Sequence, residues 1–393
     1  MSDEIKMSDA ERFIEDNINL QLKNNLENKP TSILYISGPP GIGKSFLLEH
    51  ISKKLDMSLN VKYMSTMLIE QISGLPIPVN GDYIWSKPEI FSDKHLRVKS
   101  KNPDAPLILF LDDAHLCSKT LQNFMFQLLT LHEIHSHKLP DNVAIILAGN
   151  RSVDKAGAQA IMAPIVNRLF FLDVIAESKD WIESFAIPNN IRSDIITFID
   201  KYPELLQSPP MESVSWSSPR SWSLLSDAID QMEKTNKLSP KDLLQLSKGH
   251  IGLEYAMKFV EYVELFSSWD SKKILTKEIP LPDIEKLDSI KSYTLMSSLI
   301  SEFMKNIRDA NYNMGTEQVA QTIIIKEMFD QLQKSCKEII PLGIRTIVLS
   351  ESAKNKTAKV YGLLVYNNPV LLGVIKDLLG YENSPLNKVP VIR

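Results

Sequence analysis

The sequence predicts an α/β fold in three parts: a parallel five-stranded sheet domain over residues 1–175, a helical lid domain over 176–276, and a mostly helical C-terminal segment over 277–393. Three observations predict it. Five short, continuously apolar runs alternate with helically spaced segments through the first 175 residues, the pattern of a parallel sheet covered on both faces. Beyond that point the strand pattern stops, and only helical spacing with Pro and Ser punctuation continues. Between the first strand and its helix stands "GPPGIGKS", a stretch that fits a phosphate-gripping loop on a parallel sheet.

Taken in order, Ser8 with Glu11 fits a capping box opening a helix that runs to about Asn28. "SILYIS" (32–37) reads as a buried strand, and Lys44 to about Leu55 as a helix with Phe46, Leu47, His50, Ile51 and Leu55 at helical spacing. "NVKYMSTML" (60–68) is a second strand. The Gly/Pro-rich stretch 73–91 has the chemistry of a long loop or an inserted hairpin. "PLILFLDDAH" (106–115), "NVAIILAGN" (142–150) and "LFFLDVI" (169–175) are the remaining strands, with helices at Thr120–His132 and Ala156–Arg168 between them. Helices fill Trp181 to about Asp270. "KEIPLPDIEK" (277–286) reads as a linker, and "IRTIVLS" or "KVYGLLVY" as a possible strand in the C-terminal segment.

Composition bounds the function. Hydrophobic residues make up 44% of the 393 and charged residues 23%, so the chain can build ordinary cores. The net charge of −4 argues against nucleic acid or an anionic membrane as a partner of the whole chain. No apolar run approaches the roughly 20 residues needed to span a bilayer. The two cysteines, Cys117 and Cys336, have no CxxC spacing and fit free thiols in a reducing, cytoplasmic setting.

The chemistry lies in motifs. Gly38, Pro39, Pro40, Gly41, Ile42, Gly43, Lys44 and Ser45 match G-x-x-x-x-G-K-[ST], after a strand and before a helix. Glycines let successive N–H groups converge, and with the helix N-terminus running through Phe46 they favour a phosphate chain. Lys44 would place its ammonium on the β- and γ-phosphates of a nucleotide such as ATP, and Ser45 its hydroxyl on Mg²⁺. The loop grips phosphates rather than bases, so it does not separate ATP from GTP.

Asp112, closing a buried strand, could hold the Mg²⁺ shell, and Asp113 could polarise an attacking water; the two could also cap the helix near residue 118. Asn150 closes the next strand and could align water against the γ-phosphate. Arg168 stands between a helix and the fifth strand, free to project from the domain edge. Arg220 follows Ser218 (N-cap) and Pro219 at a helix start, where a guanidinium adds to the anion preference of the helix end. Trp222 reads as core. "HEIHSHK" lacks H-E-x-x-H spacing, so His132, His135 and His137 read as a solvated turn or hairpin.

Together "GPPGIGKS", "LFLDDAH", "LAGN", "PIVNR" and "SPRSW" resemble, in order, the motifs of the AAA+ superfamily of ATPases, within it the MoxR-type branch. "SGLPIP" is similar to that branch's segment between the first two nucleotide motifs, and "LHEIHSHKLPDNVAII" to its hairpin before the first sensor. The resemblance covers residues 10–270. It implies Mg-ATP sandwiched between subunits of a ring homo-oligomer, usually a hexamer, with Arg168 reaching a neighbour's γ-phosphate and Arg220 sensing it from the lid. It further implies hydrolysis coupled to remodelling of a protein client, often one carrying a von Willebrand A-type domain, in bacteria or their phages. A glutamate is usual where Asp113 stands. The shorter side chain leaves a second reading open: a nucleotide-gated scaffold that binds ATP and hardly hydrolyses it.

Overall fold

The computed structural model describes residues 4–349 apart from 93, 95, 152–160, 212–213, 236–237 and 311–314. The chain divides into two compact units. The first gathers the residues up to Glu177 with Ser218–Arg220; the second takes Ser178–Ser217 and the chain from Ser221 on.

In the first unit, in chain order, lie β1 (Ile5–Lys6), α1 (Met7–Leu26), β2 (Ile33–Ser37), α2 (Lys44–Lys54), β3 (Ser58–Tyr63), α3 (Ile69–Ser73), β4 (Pro76–Val79), β5 (Asp82–Trp85) and β6 (Leu107–Asp112). They are followed by α4 (Lys119–Leu131), β7 (Glu133–Ile134), β8 (His137–Lys138), β9 (Val143–Gly149), α5 (Ala163–Val166) and β10 (Leu169–Ile175). The main sheet has the order β1-β10-β2-β9-β6-β3 and is parallel throughout. The five expected strands are all present. The sheet has six because β1 adds two residues beside Val174 and Ile175, too few to carry a period in the sequence.

Alternation explains why the strands read as unbroken apolar runs. Leu34, Ile36, Ile108, Phe110, Ala144 and Ile146 pack on one face with Ile14 and Ile18 of α1 and Leu48 and Ile51 of α2. Tyr35, Leu109, Leu111, Ile145 and Leu147 pack on the other with Leu121, Met125 and Leu128 of α4. Successive side chains point to opposite faces, and both faces are covered.

α1 also carries an amide row at four-residue spacing. The Gln21 side chain donates to the Ile145 carbonyl and accepts from the Ile145 N–H, both at 2.8 Å. Asn25 donates to the Val143 carbonyl at 2.9 Å and Asn17 to the Ser32 carbonyl at 3.0 Å. β2 pairs β9 only from Leu34 onward. Below that level a side-chain amide supplies the bonds a strand would make, so these buried polar groups are satisfied. The expected capping box is absent. α1 begins at Met7 directly after β1, and no side chain caps it. Glu11 pairs with Lys54 instead, at 2.7 Å.

The stretch 73–91 forms the antiparallel hairpin β4–β5, and β7–β8 is a second hairpin. Of the helix expected over Ala156–Arg168, α5 is observed; residues 156–160 of that segment lie outside the described residues.

The second unit contains α6 (Ser178–Trp181) with a π turn at Ile182–Ala186, α7 (Ser193–Lys201), α8 (Pro219–Thr235, in this unit from Ser221), α9 (Pro240–Ile251) and α10 (Leu253–Ser267). Then come α11 (Ser271–Leu275), α12 (Ser289–Asp309), α13 (Thr316–Ser335) and α14 (Ile340–Leu349). Phe198, Trp222, Phe259 and Tyr262 form an aromatic centre with ring separations of 5.3–5.6 Å. Trp222 is fully buried, and its indole N–H donates to the Leu205 carbonyl and the Ser217 hydroxyl. Residues 277–286 are not a bare linker. Ile284 is buried and its N–H bonds the Gln331 side chain at 3.0 Å.

"IRTIVLS" is not a strand. Ile340, Ile344 and Ile347, spaced i, i+4, i+7, bury the inner face of α14, so packing overrides the strand preference of β-branched residues. "KVYGLLVY" lies outside the described residues.

Candidate functional site

The loop between β2 and α2 is shaped by two glycines. Gly41 has φ +80° and Gly43, the N-cap of α2, φ +108°, conformations that L side chains rarely adopt. Any Cβ at Gly41 would lie 2.8 Å from the Ser218 hydroxyl. The loop folds back on Lys44. Its ammonium, buried at 8% exposure, donates to the Gly38 and Pro39 carbonyls at 2.8 and 3.0 Å and to Oδ1 of Asn150 at 2.9 Å. Three neutral oxygens thus hold the cation, and an anionic oxygen outcompetes neutral ones for such a group.

β6 delivers the acids. Ser45, in the first turn of α2, donates its hydroxyl to Oδ2 of Asp112 at 2.6 Å. The other Asp112 oxygen accepts the Asp113 N–H at 2.9 Å. The chain turns sharply there, with Asp113 in the left-handed region at φ +55°. This turn faces the Asp113 carboxylate towards Ser65, whose hydroxyl is 3.5 Å away. Neither aspartate caps the following helix, since Ser118 does so by accepting from the Leu121 N–H.

β9 delivers Asn150. Beneath it lies His115, 2% exposed, a residue the sequence reading passed over. Its Nδ1 stands 3.3 Å from the Asn150 N–H and its Nε2 3.2 Å from the Asn150 side-chain amide nitrogen. A neutral imidazole can accept one of these bonds; a protonated one can accept neither. Burial lowers the His115 pKa, against Asp113 and Asp112, which favour the charged ring, and together with Lys44, which disfavours it. Gly149 leaves the room this packing needs, since a Cβ there would lie 2.0 Å from the Tyr35 hydroxyl.

These ends converge. Pro40, Gly41, Gly43, Lys44, Ser45, Phe46, Asp112, Asp113, Asn150 and Arg220 all line one crevice of about 480 Å³ at the carboxyl edge of the sheet. Ser218–Arg220 belong to the first unit, and the Arg220 N–H donates to the Gly41 carbonyl at 3.0 Å. Gly38 and Pro39 contribute their carbonyls to Lys44, and the Ile42 side chain is buried in the core, anchoring the loop. Arg168 lies apart from this crevice. It donates to the Pro164 carbonyl at 2.7 Å and sits 4.5 Å over the Phe126 ring. Arg151 pairs with Glu4. Glu49, Tyr63 and Arg97, none singled out from the sequence, also line the crevice.

The donor set fits a metal-nucleotide pair. Ser45 and Asp112 present hard oxygens side by side, as Mg²⁺ requires. The positive-φ glycines, the head of α2 and the Lys44 ammonium suit a phosphate chain.

The histidine cluster is a hairpin and not a solvated one. His135 stacks on Trp85 of β5, 3.9 Å between centroids and 6° from parallel, and His137 Nε2 lies 2.7 Å from the Trp85 carbonyl. Because a carbonyl only accepts, Nε2 of His137 carries the proton. Among the described residues no cluster of His, Cys, Asp and Glu suits a metal on its own, and no helix is long and apolar enough to cross a membrane.

No curated protein matches the chain. Among solved structures, a point mutant of Thermotoga maritima RuvB is 13% identical, covering 78% of this chain and 96% of its own, with a TM-score of 0.32. A second RuvB mutant from that organism is 15% identical, covering 85% and 88%, at a TM-score of 0.34. The Thermotoga maritima RuvB Holliday junction branch migration motor is 11% identical, covering 77% and 95%, at 0.30. Likenesses of this size carry no functional weight. Residues 34–170 match the family described as "ATPase family associated with various cellular activities (AAA)". That span holds the phosphate loop, Asp112, Asp113, Asn150 and Arg168, so the match to the AAA family falls on the stretch of chain that builds most of the crevice.

Proposed function

We propose that this chain is a MoxR-type AAA+ ATPase. It binds Mg-ATP at the subunit interfaces of a ring homo-oligomer, a hexamer, and couples hydrolysis to remodelling a protein client in the cytoplasm of a bacterium or its phage-infected host. The observation that carries the nucleotide chemistry is the convergence of Lys44, Ser45, Asp112 and Asn150 within hydrogen-bond distance at the ends of β2, β6 and β9. The MoxR assignment draws support from the two hairpins, β4–β5 between the first two motifs and β7–β8 before Asn150. A client with a von Willebrand A-type domain is the partner class that this branch suggests.

In this reading Lys44 leaves its neutral partners for the β- and γ-phosphates. Ser45 and Asp112 hold Mg²⁺, which when bound neutralises charge on the phosphate oxygens. Asn150, fixed from below by His115, aligns the attacking water, and Asp113 takes its proton. Arg220 lies against the loop at Gly41 and adds positive charge on the same crevice. Arg168, outside its own crevice, would act as the finger on a neighbour's nucleotide.

The experiment is a mass measurement in solution with and without Mg-ATP, with bound nucleotide and phosphate release read in the same samples. The parent protein should form a nucleotide-stabilised ring and release phosphate. Lys44→Ala should lose both binding and turnover; unchanged affinity and rate in that variant would overturn the assignment. The scaffold reading rests on Asp113 being one methylene shorter than glutamate. It predicts ring formation with negligible phosphate release, raised about tenfold or more in Asp113→Glu, on the scale of a repositioned general base.

A further inference from the structure

Arg97 reaches the crevice from a part of the sequence with no nucleotide motif. Its backbone is fixed: the Arg97 N–H donates to the Leu59 carbonyl at 2.8 Å, and Leu59 and Val98 form a bridge on the outer edge of β3. Its head is loosely held. Nε donates to Oε1 of Glu49 at 2.6 Å, and the two terminal nitrogens have no partner among the described residues. The side chain is 59% exposed. Glu49 stands one helical turn beyond Ser45 on α2, so the pair occupies the same side of the crevice as the metal-facing hydroxyl.

We propose that Arg97 is a cis-acting phosphate ligand of this site, which Glu49 holds at the rim and which turns its terminal amino groups to the end of a nucleoside triphosphate. An exposed ion pair of this kind contributes little, because solvent screens both charges. Two forked N–H pairs on a multiply charged phosphate are worth more, since charge-assisted bidentate bonds are the stronger class. Glu49 is the gate in this exchange: its carboxylate competes with phosphate for the guanidinium and keeps Arg97 ordered when no triphosphate is present. Arg97 then favours ATP over ADP, while Lys44 serves both.

This rests on the reading of the crevice as a nucleotide site, and the experiment separates the two. Equilibrium binding of fluorescent ATP and ADP is measured for the parent, Arg97→Ala, Glu49→Gln and the double variant. If the parent binds neither nucleotide, the site reading fails. If it binds both, Arg97→Ala should lose about tenfold or more in ATP affinity, the size of one charged hydrogen bond, with ADP affinity within twofold. Glu49→Gln should tighten ATP binding, and that gain should vanish in the Arg97→Ala background. Parental ATP affinity in Arg97→Ala overturns the proposal. So does a Glu49→Gln gain that persists without Arg97, because the carboxylate would then act by simple repulsion. Retained ADP binding shows in the same titration that the variants are folded.

Discussion

Arg97 in the first unit and Arg192 in the second make opposite use of the same side chain. Arg192 bonds Asp194 through Nε and Nη2, and Asp230 and Glu233 through Nη1 at 2.7 Å each. It is 19% exposed, and Asp194 is 3% exposed. Arg97 has one carboxylate and, among the described residues, no partner for its two terminal nitrogens, which lie at an open crevice. A guanidinium whose donors are consumed within the fold holds helices together. One with donors left over is available to something from outside. The same distinction runs through the first unit, where Lys44 donates to three neutral oxygens that a phosphate can replace.

The hardest test of this contrast is Arg192→Ala. It strands buried Asp194, and breaking a buried pair from one side costs about 3–5 kcal/mol. Urea unfolding should show that loss, with nucleotide binding by the surviving folded fraction unchanged. A loss below about 1 kcal/mol would mean the bonds around Arg192 hold nothing.

Next in size is Asn150→Ala, which removes a partner of Lys44 and the water-aligning amide together. Steady-state turnover should fall about 10²-fold, as for the loss of one preorganised donor, while ATP affinity stays within a few-fold. Equal losses in binding and turnover would instead make Asn150 a ground-state ligand.

His115 gives a pH signature. Its folded pKa lies below its unfolded value, so between the two the unfolded chain binds the extra proton. Stability should therefore fall as pH drops below about 6.5 and level off once the folded ring is protonated too. Turnover should hold until the lower end of that range and decline there, where the folded ring itself takes up a proton and can no longer accept from Asn150. His115→Gln, which keeps an acceptor and cannot titrate there, should flatten both profiles. An unchanged acid limb in that variant would place the titration elsewhere.

The smallest expected effect completes the comparison. Arg97→Ala should change unfolding free energy by less than about 1 kcal/mol, since it removes one exposed pair. A larger loss would make Arg97 a structural residue like Arg192.

Much of the fold was legible because strands buried on both faces leave continuous apolar runs. β9 and β10 fall within a residue of their expected limits, while β6 ends at Asp112, three residues before its expected end. The crevice was legible where chemistry is local in sequence, as in the loop from Gly38 to Ser45. Arg97 left no such trace. It enters the site through the pairing of residue 98 with Leu59, and nothing in "KHLRVKS" encodes that register. His115 left a weak one, three residues beyond Asp112 at the end of a recognised motif. α14 misled because isoleucine and valine favour strands in isolation, and only its partners in the second unit reveal the helical face.

The Trp85 junction has a mechanical meaning. A two-stranded ribbon of four-residue strands has little rigidity of its own, yet β4–β5 is clamped through Trp85 to the turn between β7 and β8. The chain leaving that turn enters β9 four residues after Leu139 and ends at Asn150. The ribbon and the β7–β8 turn are thus packed together through one tryptophan, a few residues ahead of the strand that delivers Asn150.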